Sequence, residues 1–499
     1  MNFGRSAIVW GSLAALIGMV ALLMLNQRRP SAPQATRPLV VYCAAGLKGP
    51  VEATAKEYEQ EFGIPVQLQY GGSGTLLSNL KVAKRGDLFI AADGSFIEMG
   101  RTNRLLAEVL PLAHLKPVMA VARGNPRGLR GIDDLLRSDV RVSLANPESV
   151  AIGAATRRAL THVGKWAPLA ARATVFKPTV NDVANDLKLG SVDAAVVWDV
   201  TVRQYPELEA IVVPEFEGFS SDAAVAVLAF CDQPTEALRF ARFLAARDRG
   251  LRHFASAGFR VVEGDRWTPK PEVILYSGTV NRVAIEDTLR EFETRHGVQV
   301  TRVYNGCGIL TAQIKSGRKP DAYFACDVSF MNTVTNDFQT PVELAETSLL
   351  LLVQKGNPKQ LRGLADLAKP GLKVGLAHEQ QSALGALTAR LLRIAGNYEA
   401  VLANASVQAP TGDLLLNQLR SGALDVALVY AANASQVRGV LDVIPLEGPG
   451  TTATQPYAVG RGSEHGQLMT HLLETLEAPV SRSRFTNAGF RWKAPESNP

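Results

Sequence analysis

The sequence is poor in cysteine, and no pattern links the cysteines that it has. Four occur in 499 residues, at Cys43, Cys231, Cys307 and Cys326, and no two of them are spaced as CxxC. This excludes a disulfide framework and a cysteine-rich zinc site. The sequence also has no long stretch of one charge. The net charge is +6, and Lys and Arg are interspersed with Asp and Glu. No nucleic-acid partner is therefore expected.

Motifs for nucleotide binding and catalysis are missing as well. The sequence contains neither GxxxxGK[ST] nor GxGxxG, and it has no GxSxG elbow and no HExxH helix. We therefore predict that the protein is not an enzyme and holds no cofactor and no metal.

The composition is that of a globular protein, 46% hydrophobic and 20% charged. The length suits roughly two to four domains.

One long apolar run lies near the N-terminus. Residues 7–25, AIVWGSLAALIGMVALLML, carry no charge. As a helix they would be about 28 Å long, close to the thickness of the hydrocarbon core of a bilayer. The run ends in NQRRP, which is a poor cleavage context. Residues 1–29 are thus predicted to be an uncleaved membrane anchor, with a cleaved signal segment as the alternative, and residues 30–37 an extended linker.

The remainder of the chain repeats itself once. Tyr42 and Tyr276 lie 234 positions apart, the offset falls to 232 after a short gap, and AGFR at residues 257–260 recurs at residues 488–491. The period is far too long for a solenoid, so the sequence indicates a tandem duplication of a complete domain. The predicted units are module 1 (38–262), a linker (263–271), module 2 (272–493) and a tail (494–499).

Each module alternates short apolar runs with helical patterns. In module 1 the runs are LVVY, VQLQY and DLFIA, and in module 2 they are VILY, VQVTRVY and DAYFA. Short β runs separated by helices predict an α/β fold with a mainly parallel sheet. Later runs, RVSLA and AAVVW matched by KVGLA and VALVY, predict a second α/β lobe in each module. These second lobes would span about residues 119–215 and 348–447.

Three loops of module 1 have the composition of an anion site: residues 44–46, 71–75 and 145–153. In open α/β sheets ligands bind beyond the carboxyl ends of the strands, where loops lead into helices. Glycines let a ligand approach the backbone, and first-turn N–H groups with Ser or Thr hydroxyls form a neutral set of donors. The alternative is that these loops are only turns.

The order and spacing of YCAAGL, YGGSGTLL, GDLFIAAD and ANPESVAIG resemble those of the periplasmic molybdate-binding proteins of bacterial ABC importers. The resemblance covers both modules. It implies the type 2 periplasmic-binding-protein fold, in which two α/β lobes joined by a hinge close on a small oxyanion such as molybdate or tungstate. It also implies an ABC permease in the inner membrane as the partner. The protein would then be anchored on the periplasmic side of that membrane.

Carrying the family's ligand-binding positions onto this sequence gives an incomplete set of side-chain donors. The second-loop serine is kept as Ser73, but the first-loop serine falls on Gly46 and the tyrosine of the second lobe falls on Trp198. Module 2 keeps that tyrosine as Tyr430 and has Cys307 in place of the serine. The resemblance implies the following ligand-binding residues: Ala45, Gly46, Gly72, Ser73, Ile152, Val183 and Trp198 in module 1, and Ser277, Thr279, Gly306, Cys307, Leu384, Leu415 and Tyr430 in module 2.

Several other residues allow two interpretations. Asp93 and Asp327 are predicted to be helix N-caps, with carboxylates at the rim of a cleft as the alternative. Cys307 and Cys326 are predicted to be buried small residues, with a redox or metal site as the alternative. His378 is predicted to be a loop histidine rather than a ligand contact.

The uneven donor set leaves a second function open for the whole chain. One or both sites would then be degenerate. The protein would in that case be a membrane-tethered sensor or scaffold derived from a solute-binding protein. A third alternative is an enzyme on the same fold.

Overall fold

The computed structural model describes residues 37–493 with the exception of residue 438. The predicted membrane anchor, most of the predicted linker and the tail lie outside the described residues. Within the described part of the chain, no helix is both long enough and apolar enough to cross a membrane.

Module 1 contains eleven strands in two separate sheets. The strands predicted from LVVY, VQLQY, DLFIA, RVSLA and AAVVW are confirmed as β1, β2, β3, β6 and β8. The elements of module 1 are β1 (Leu39–Ala44), α1 (Lys48–Phe62), β2 (Val66–Gly71), α2 (Ser73–Ala83), β3 (Leu88–Ala91), α3 (Gly94–Thr102), β4 (Leu106–Leu115), β5 (Pro117–Ala122), β6 (Val142–Ala145), α4 (Ala151–His162), α5 (Trp166–Arg172), β7 (Val175–Lys177), α6 (Val180–Lys188), β8 (Ala194–Trp198), α7 (Asp199–Gln204), β9 (Leu208–Ile211), β10 (Ser221–Leu228), α8 (Pro234–Leu244), α9 (Gly250–Ser256) and β11 (Arg260–Val261).

The two sheets of module 1 are the cores of two lobes. The first lobe has the strand order β11-β4-β10-β3-β1-β2, in which β1 pairs in parallel with both β2 and β3. The second lobe has the order β7-β6-β8-β5-β9, in which β6 pairs in parallel with β7 and β8. The chain passes from the first sheet to the second between β4 and β5. Pro117 at this step has no N–H to donate to a ladder, which favours a break between the two strands.

Module 2 repeats this order of elements with one difference at the crossing between lobes. Its elements are β12 (Glu272–Gly278), α10 (Arg282–His296), β13 (Gln299–Asn305), α11 (Cys307–Lys315), β14 (Ala322–Phe324), α12 (Val328–Met331), β15 (Val342–Gln354), β16 (Val374–Ala377), α13 (Ala383–Ile394), α14 (Tyr398–Ala403), β17 (Ala405–Ala409), α15 (Gly412–Arg420), β18 (Val426–Tyr430), α16 (Ala431–Ala434), β19 (Leu441–Pro445), β20 (Thr452–Val459), α17 (Gly466–Glu477), α18 (Pro479–Asn487) and β21 (Arg491–Trp492).

The long strand β15 joins both lobes of module 2 without a break. It pairs with β20 from Val342 to Ser348 and with β18 from Leu349 to Val353, so ten strands form one continuous sheet. Both modules bury a contiguous apolar core. The inner strands β3, β6 and β8 of module 1 are buried on both faces, as are β14, β16 and β18 of module 2, which is why these strands are continuous apolar runs in the sequence.

The modules are joined by polar contacts between their first lobes. Arg295 at the end of α10 donates two hydrogen bonds to Glu108 on β4, at 2.7 and 2.9 Å. The predicted linker is packed rather than free. Both oxygens of the Asp265 carboxylate accept backbone N–H groups at the start of α17, from Gln467 at 2.8 Å and Leu468 at 3.0 Å. Burial raises the pKa of Asp265.

Candidate ligand-binding sites

Three helices of module 1 begin at the cleft between its lobes. They are α2, which follows β2 in the first lobe, and α4 and α6, which follow β6 and β7 in the second. The first N–H groups of a helix have no acceptor within it, and its N-terminus carries about half a positive charge. Three such ends converge here from two lobes, so the cleft is a region of positive potential built from backbone.

The lobes of module 1 are in direct contact across the cleft. The N–H of Gly74 donates to the carbonyl oxygen of Ser149 at 2.9 Å. A Cβ atom added at Gly72 would lie 2.5 Å from that same oxygen, and one added at Gly74 would lie 2.8 Å from the carbonyl oxygen of Glu148. The glycines of the second loop are therefore required for the lobes to meet, and the module is in a closed conformation.

The module 1 cleft is small and neutral. Its cavity measures about 10 Å³, the space of a single water molecule. Among the described residues that line it, none carries a charge. The lining residues are Ala44, Ala45, Gly46, Gly71, Gly72, Ser73, Ala92, Val150, Ala151, Ile152, Thr179, Val180 and Trp198.

Two departures from the family's pattern in module 1 lie next to each other: Gly46 in place of the first-loop serine and Trp198 in place of the tyrosine. A Cβ added at Gly46 would lie 3.0 Å from Val180 Cγ1 and 3.6 Å from Trp198 Cδ1. The indole of Trp198 is 1% exposed. A serine side chain at position 46 would thus compete with Trp198 and Val180 for space. The small residue at position 46 therefore makes room for the large one at position 198, and together they leave this wall of the cleft apolar.

Asp93 links the two lobes of module 1. It is the N-cap of α3, as predicted, and accepts the N–H of Ser95 at 3.0 Å. Its other oxygen accepts a hydrogen bond from Arg158 on α4 in the second lobe, at 2.6 Å. The carboxyl is 1% exposed and the guanidinium 39% exposed. Asp327 of module 2 is also an N-cap, accepting the N–H of Ser329 at 3.0 Å.

The cleft of module 2 is built in the same way and is more polar. Helices α11, α13 and α15 begin at it, and the N–H of Gly308 donates to the carbonyl oxygen of Gln381 in the opposite lobe at 3.0 Å. The cavity measures about 20 Å³. None of its described lining residues is charged: Thr279, Val280, Asn305, Gly306, Cys326, Ser382, Leu384, Pro410, Thr411, Gly412, Tyr430 and Asn433.

Two hydroxyl groups of the module 2 cleft are buried without a partner. The hydroxyls of Thr279 and Tyr430 make no hydrogen bond. Burial raises the pKa of Tyr430 well above its ordinary value, so this hydroxyl stays protonated and is a donor. A buried hydroxyl without a partner costs roughly 1–3 kcal/mol. A bound acceptor would satisfy both groups.

A carboxylate lies directly behind the module 2 cleft. The lining residue Asn433 donates from Nδ2 to Asp413 at 2.7 Å and accepts the N–H of Tyr430 at 3.2 Å. Burial raises the pKa of Asp413. At the offset of 232, module 1 has the neutral Asn181 in place of Asp413, and Asn181 donates to the carbonyl oxygen of Ala45 across the lobes at 3.3 Å.

The structure brings most of the predicted residues together. In module 1, Ala45, Gly46, Gly72, Ser73, Ile152 and Trp198 line the cleft, and in module 2, Thr279, Gly306, Leu384 and Tyr430 do so. Four lie outside the lining: Val183, Leu415, Ser277 and Cys307.

Each of the four has a structural reason for lying outside. The N–H of Val183 already donates to the carbonyl oxygen of Thr179 at 3.3 Å, and Leu415 is likewise buried in the body of α15. Ser277 is fully buried and donates to the carbonyl oxygen of Gly278. Cys307 is buried directly behind Cys326.

Sequence reasoning missed the threonines at the starts of α6 and α15. Thr179 and Thr411 line the clefts. Each lies in a Pro-Thr pair that recurs between the modules, and this pair was the signal available in the sequence. His378, as predicted, does not line the cleft. Its Nδ1 accepts the N–H of Gln380 at 3.2 Å, the same local turn that Asn146 forms with Glu148 in module 1 at 2.8 Å.

A sequence profile for the family described as bacterial extracellular solute-binding proteins matches the chain twice, over residues 39–260 and again over residues 273–491. The chain belongs to this family. Each match spans one of the two-lobed modules, so the chain carries two solute-binding repeat regions.

Curated relatives of this chain match over less than half of its length. A Haemophilus influenzae protein, whose name describes it only as a binding protein, is 31% identical over 228 residues, which are 44% of this chain and 90% of that protein. The molybdate-binding protein ModA of Mycobacterium tuberculosis is 27% identical over 234 residues, 46% of this chain and 87% of that protein. Among solved structures, the periplasmic molybdate-binding protein of Azotobacter vinelandii is 17% identical, covers 45% of this chain and 100% of that chain, and has a TM-score of 0.39.

Proposed function

We propose that this solute-binding protein captures a small oxyanion of the molybdate or tungstate type in the cleft of each module and delivers it to the permease of an ABC importer. The observation that carries the proposal is the absence of charged side chains among the described residues that line either cleft. Three helix N-termini face each cleft in their place. Such a neutral, positively polarised set of backbone donors suits an anion.

Closure explains how neutral groups hold a charged ligand. With the lobes in contact, water is excluded, and each N–H dipole interacts with the anion at a lower effective dielectric constant. A hydrogen bond to a charged group contributes roughly 1.5–3 kcal/mol, so a few such bonds are enough for tight binding. The closed cavities, about 10 and 20 Å³, are far too small for a sugar or a peptide, and even a compact ion would require the lobes to separate slightly.

The choice of molybdate rests on the relatives. ModA proteins that match this chain over nearly half its length are named for molybdate. The hydroxyls of Thr279 and Tyr430 would add two donors in module 2, which offsets the loss of the serine there. In module 1 the donors would come from Ser73 and the backbone, because the Thr179 hydroxyl already donates to Asp182 at 2.6 Å.

Three glycines at the second position of their helices provide a test. Gly74→Ala and Gly308→Ala would each place a methyl group against the opposite lobe, 2.8 Å from the carbonyl oxygen of Glu148 and 1.9 Å from that of Gln380. Each should prevent closure of one module. Gly49→Ala is the matched control, since nothing lies within 4 Å of a Cβ there.

Thermal melting of the purified protein should be measured with molybdate, tungstate, sulfate and phosphate. A ligand at 100 times its Kd stabilises the folded state by about 2.7 kcal/mol. We expect molybdate or tungstate to raise the Tm of the wild type and of Gly49→Ala, and not that of the Gly74→Ala/Gly308→Ala double variant. If no anion raises the Tm of the wild type, the oxyanion proposal fails, and the sensor or scaffold function takes its place.

A further inference from the structure

Three positions differ between the modules in a correlated way. Module 1 has Ala44, Ser73 and Ala92 where module 2 has Gly278, Cys307 and Cys326. The same backbone hydrogen bond connects two of these positions in each module. The N–H of Ala92 donates to Ser73 Oγ at 3.4 Å, and the N–H of Cys326 donates to Cys307 Sγ at 3.0 Å.

The glycine in module 2 makes room for the two sulfur atoms. A Cβ added at Gly278 would lie 2.0 Å from Cys326 Sγ and 3.1 Å from Cys307 Sγ. The methyl group that module 1 has at Ala44 is thus incompatible with the cysteine pair. Both sulfur atoms lie beside the one vacated position, and their thiols interact with each other.

The two thiols have different acidities. Burial opposes ionisation of Cys307, but hydrogen bonds from the Cys326 thiol and N–H outweigh it and lower the pKa of Cys307. Cys307 is also the first residue of α11, where the helix dipole favours a thiolate. The Cys307 sulfur and burial together raise the pKa of Cys326. Cys307 is therefore suited to be a nucleophile, and Cys326 is suited to hold a proton.

The pair borders the ligand cleft through one of its two cysteines. Cys326 lines the cleft and is 5% exposed, whereas Cys307 is fully buried behind it. No group of three or more His, Cys, Asp or Glu side chains suited to a metal ion occurs in the described part of the chain. The pair thus lacks the further ligands that zinc requires.

We propose that Cys307 and Cys326 form a reversible disulfide in the cleft of module 2, which makes this one of the two clefts sensitive to oxidation. The co-reactant is a disulfide oxidant, such as oxidised glutathione. The Cys307 thiolate attacks one sulfur of the oxidant, forms a mixed disulfide and releases one thiol. Cys326 then loses its proton and attacks Cys307 Sγ, which releases the second thiol. Two protein thiols are oxidised, one disulfide of the oxidant is reduced, and both protons leave on the released thiols.

The disulfide would alter ligand binding in module 2 alone. Oxidation converts the Cys326 thiol, which lines the cleft, into one half of a disulfide. Module 1 has Ser73 and Ala92 at the two positions, so it lacks the pair. The effect on ligand binding rests on the proposed function, whereas formation of the disulfide does not.

The test treats the purified protein with oxidised glutathione, alkylates the remaining thiols after unfolding, and maps the peptides by mass spectrometry. We expect a cross-link between the peptides that contain Cys307 and Cys326, reversed by dithiothreitol, while Cys43 and Cys231 are recovered alkylated. Cys307→Ser/Cys326→Ala restores the side chains of module 1 at these two positions and serves as the folded control without the cross-link.

The variant Gly308→Ala holds the cleft open and should form the cross-link faster than the wild type. Absence of the cross-link in Gly308→Ala, or a stable glutathione adduct on Cys307 that never resolves to the pair, overturns the proposal. Molybdate should slow the cross-link in the wild type. If the cross-link forms at the same rate with and without molybdate, the disulfide stands and oxyanion binding by module 2 fails.

Discussion

The guanidinium of Arg158 and the buried carboxyl of Asp93 form an ion pair across the cleft of module 1, with 2.6 Å between Nη2 and Oδ2. The residues belong to different lobes, so the pair exists only while the lobes are closed. Module 2 has the same residue types at the equivalent positions, Arg390 and Asp327. Within the described residues, however, the exposed Arg390 makes no ion pair. The closed conformation is therefore held by a charged contact in one module and not in the other.

Removing this contact should favour the open form of module 1. We expect Arg158→Ala to weaken ligand binding by module 1 about five- to thirtyfold, which corresponds to a loss of roughly 1–2 kcal/mol for a half-exposed pair with a buried partner. Calorimetric titration measures the change. Arg390→Ala is the matched control and should leave both affinities unchanged. An equal loss of affinity in both variants would show that the arginines attract the ligand through their charge and not through an ion pair between the lobes.

Exchanging Asn181 and Asp413 should shift anion affinity in opposite directions. Asp413 places a carboxylate one hydrogen-bonded residue behind the module 2 cleft, and burial raises its pKa. Asp413→Asn should tighten anion binding by module 2 about three- to tenfold, and Asn181→Asp should weaken binding by module 1 by a similar factor.

The same carboxyl predicts how module 2 responds to pH. Lowering the pH protonates Asp413 and removes its repulsion, so anion affinity of the wild-type module should rise toward acid. Titrations at several pH values should show this rise in the wild type and not in Asp413→Asn. A similar slope in both proteins would assign the pH dependence to another group.

The interface between the modules should be sensitive to acid through His296. Burial, His471, Arg242 and Arg295 lower the pKa of His296 well below its ordinary value. The folded protein thus keeps His296 neutral, while the unfolded chain takes up a proton below about pH 6.5. The free energy of unfolding should therefore decrease as the pH falls below that value, by up to about 1.4 kcal/mol per pH unit.

Denaturant unfolding of His296→Gln should show a shallower decrease than the wild type over this range. His162→Gln, at an exposed histidine on the surface of module 1, is the control and should keep the wild-type slope. Parallel curves for all three proteins would contradict the assignment to His296.

The ion pair between Arg295 and Glu108 should couple the unfolding of the two modules. The Arg295 side chain is 35% exposed and that of Glu108 18% exposed, and the pair is bidentate. Arg295→Ala should lower stability by about 1–2 kcal/mol and separate the calorimetric transitions of the modules. Arg290→Ala on the same helix removes a pair with Asp287 in which each side chain is 65% exposed, and it should cost less than about 0.5 kcal/mol. A single unchanged calorimetric transition in Arg295→Ala would show that other contacts are enough to couple the unfolding of the two modules.

Much of the architecture could be predicted because it is encoded in local patterns that occur twice. The buried parallel strands appear as apolar runs, and the glycines at 72 and 306 mark the close approach of the lobes. Asp93 and Asp327 have the sequence context of N-caps. In each case one residue type satisfies a local physical requirement, so the pattern identifies the structure.

The details of the clefts could not be predicted in this way. Whether Val183 offers a free N–H depends on the residue at which α6 begins, and one turn of helix separates a free donor from a bonded one. The exchange of Gly46 and Trp198 is visible only when both side chains occupy the same space. The pair of Arg158 and Asp93 depends on how far the lobes close. The last two are relations between lobes, and spacing along the chain carries no information about such relations.

Among the described residues, the contacts between the modules named above come from the first lobes, through Glu108, His296 and α17, and from the linker, through Asp265. The second lobes take no part in these contacts. If each cleft binds an oxyanion as proposed, the two sites should fill independently, and a single molecule would carry two ions.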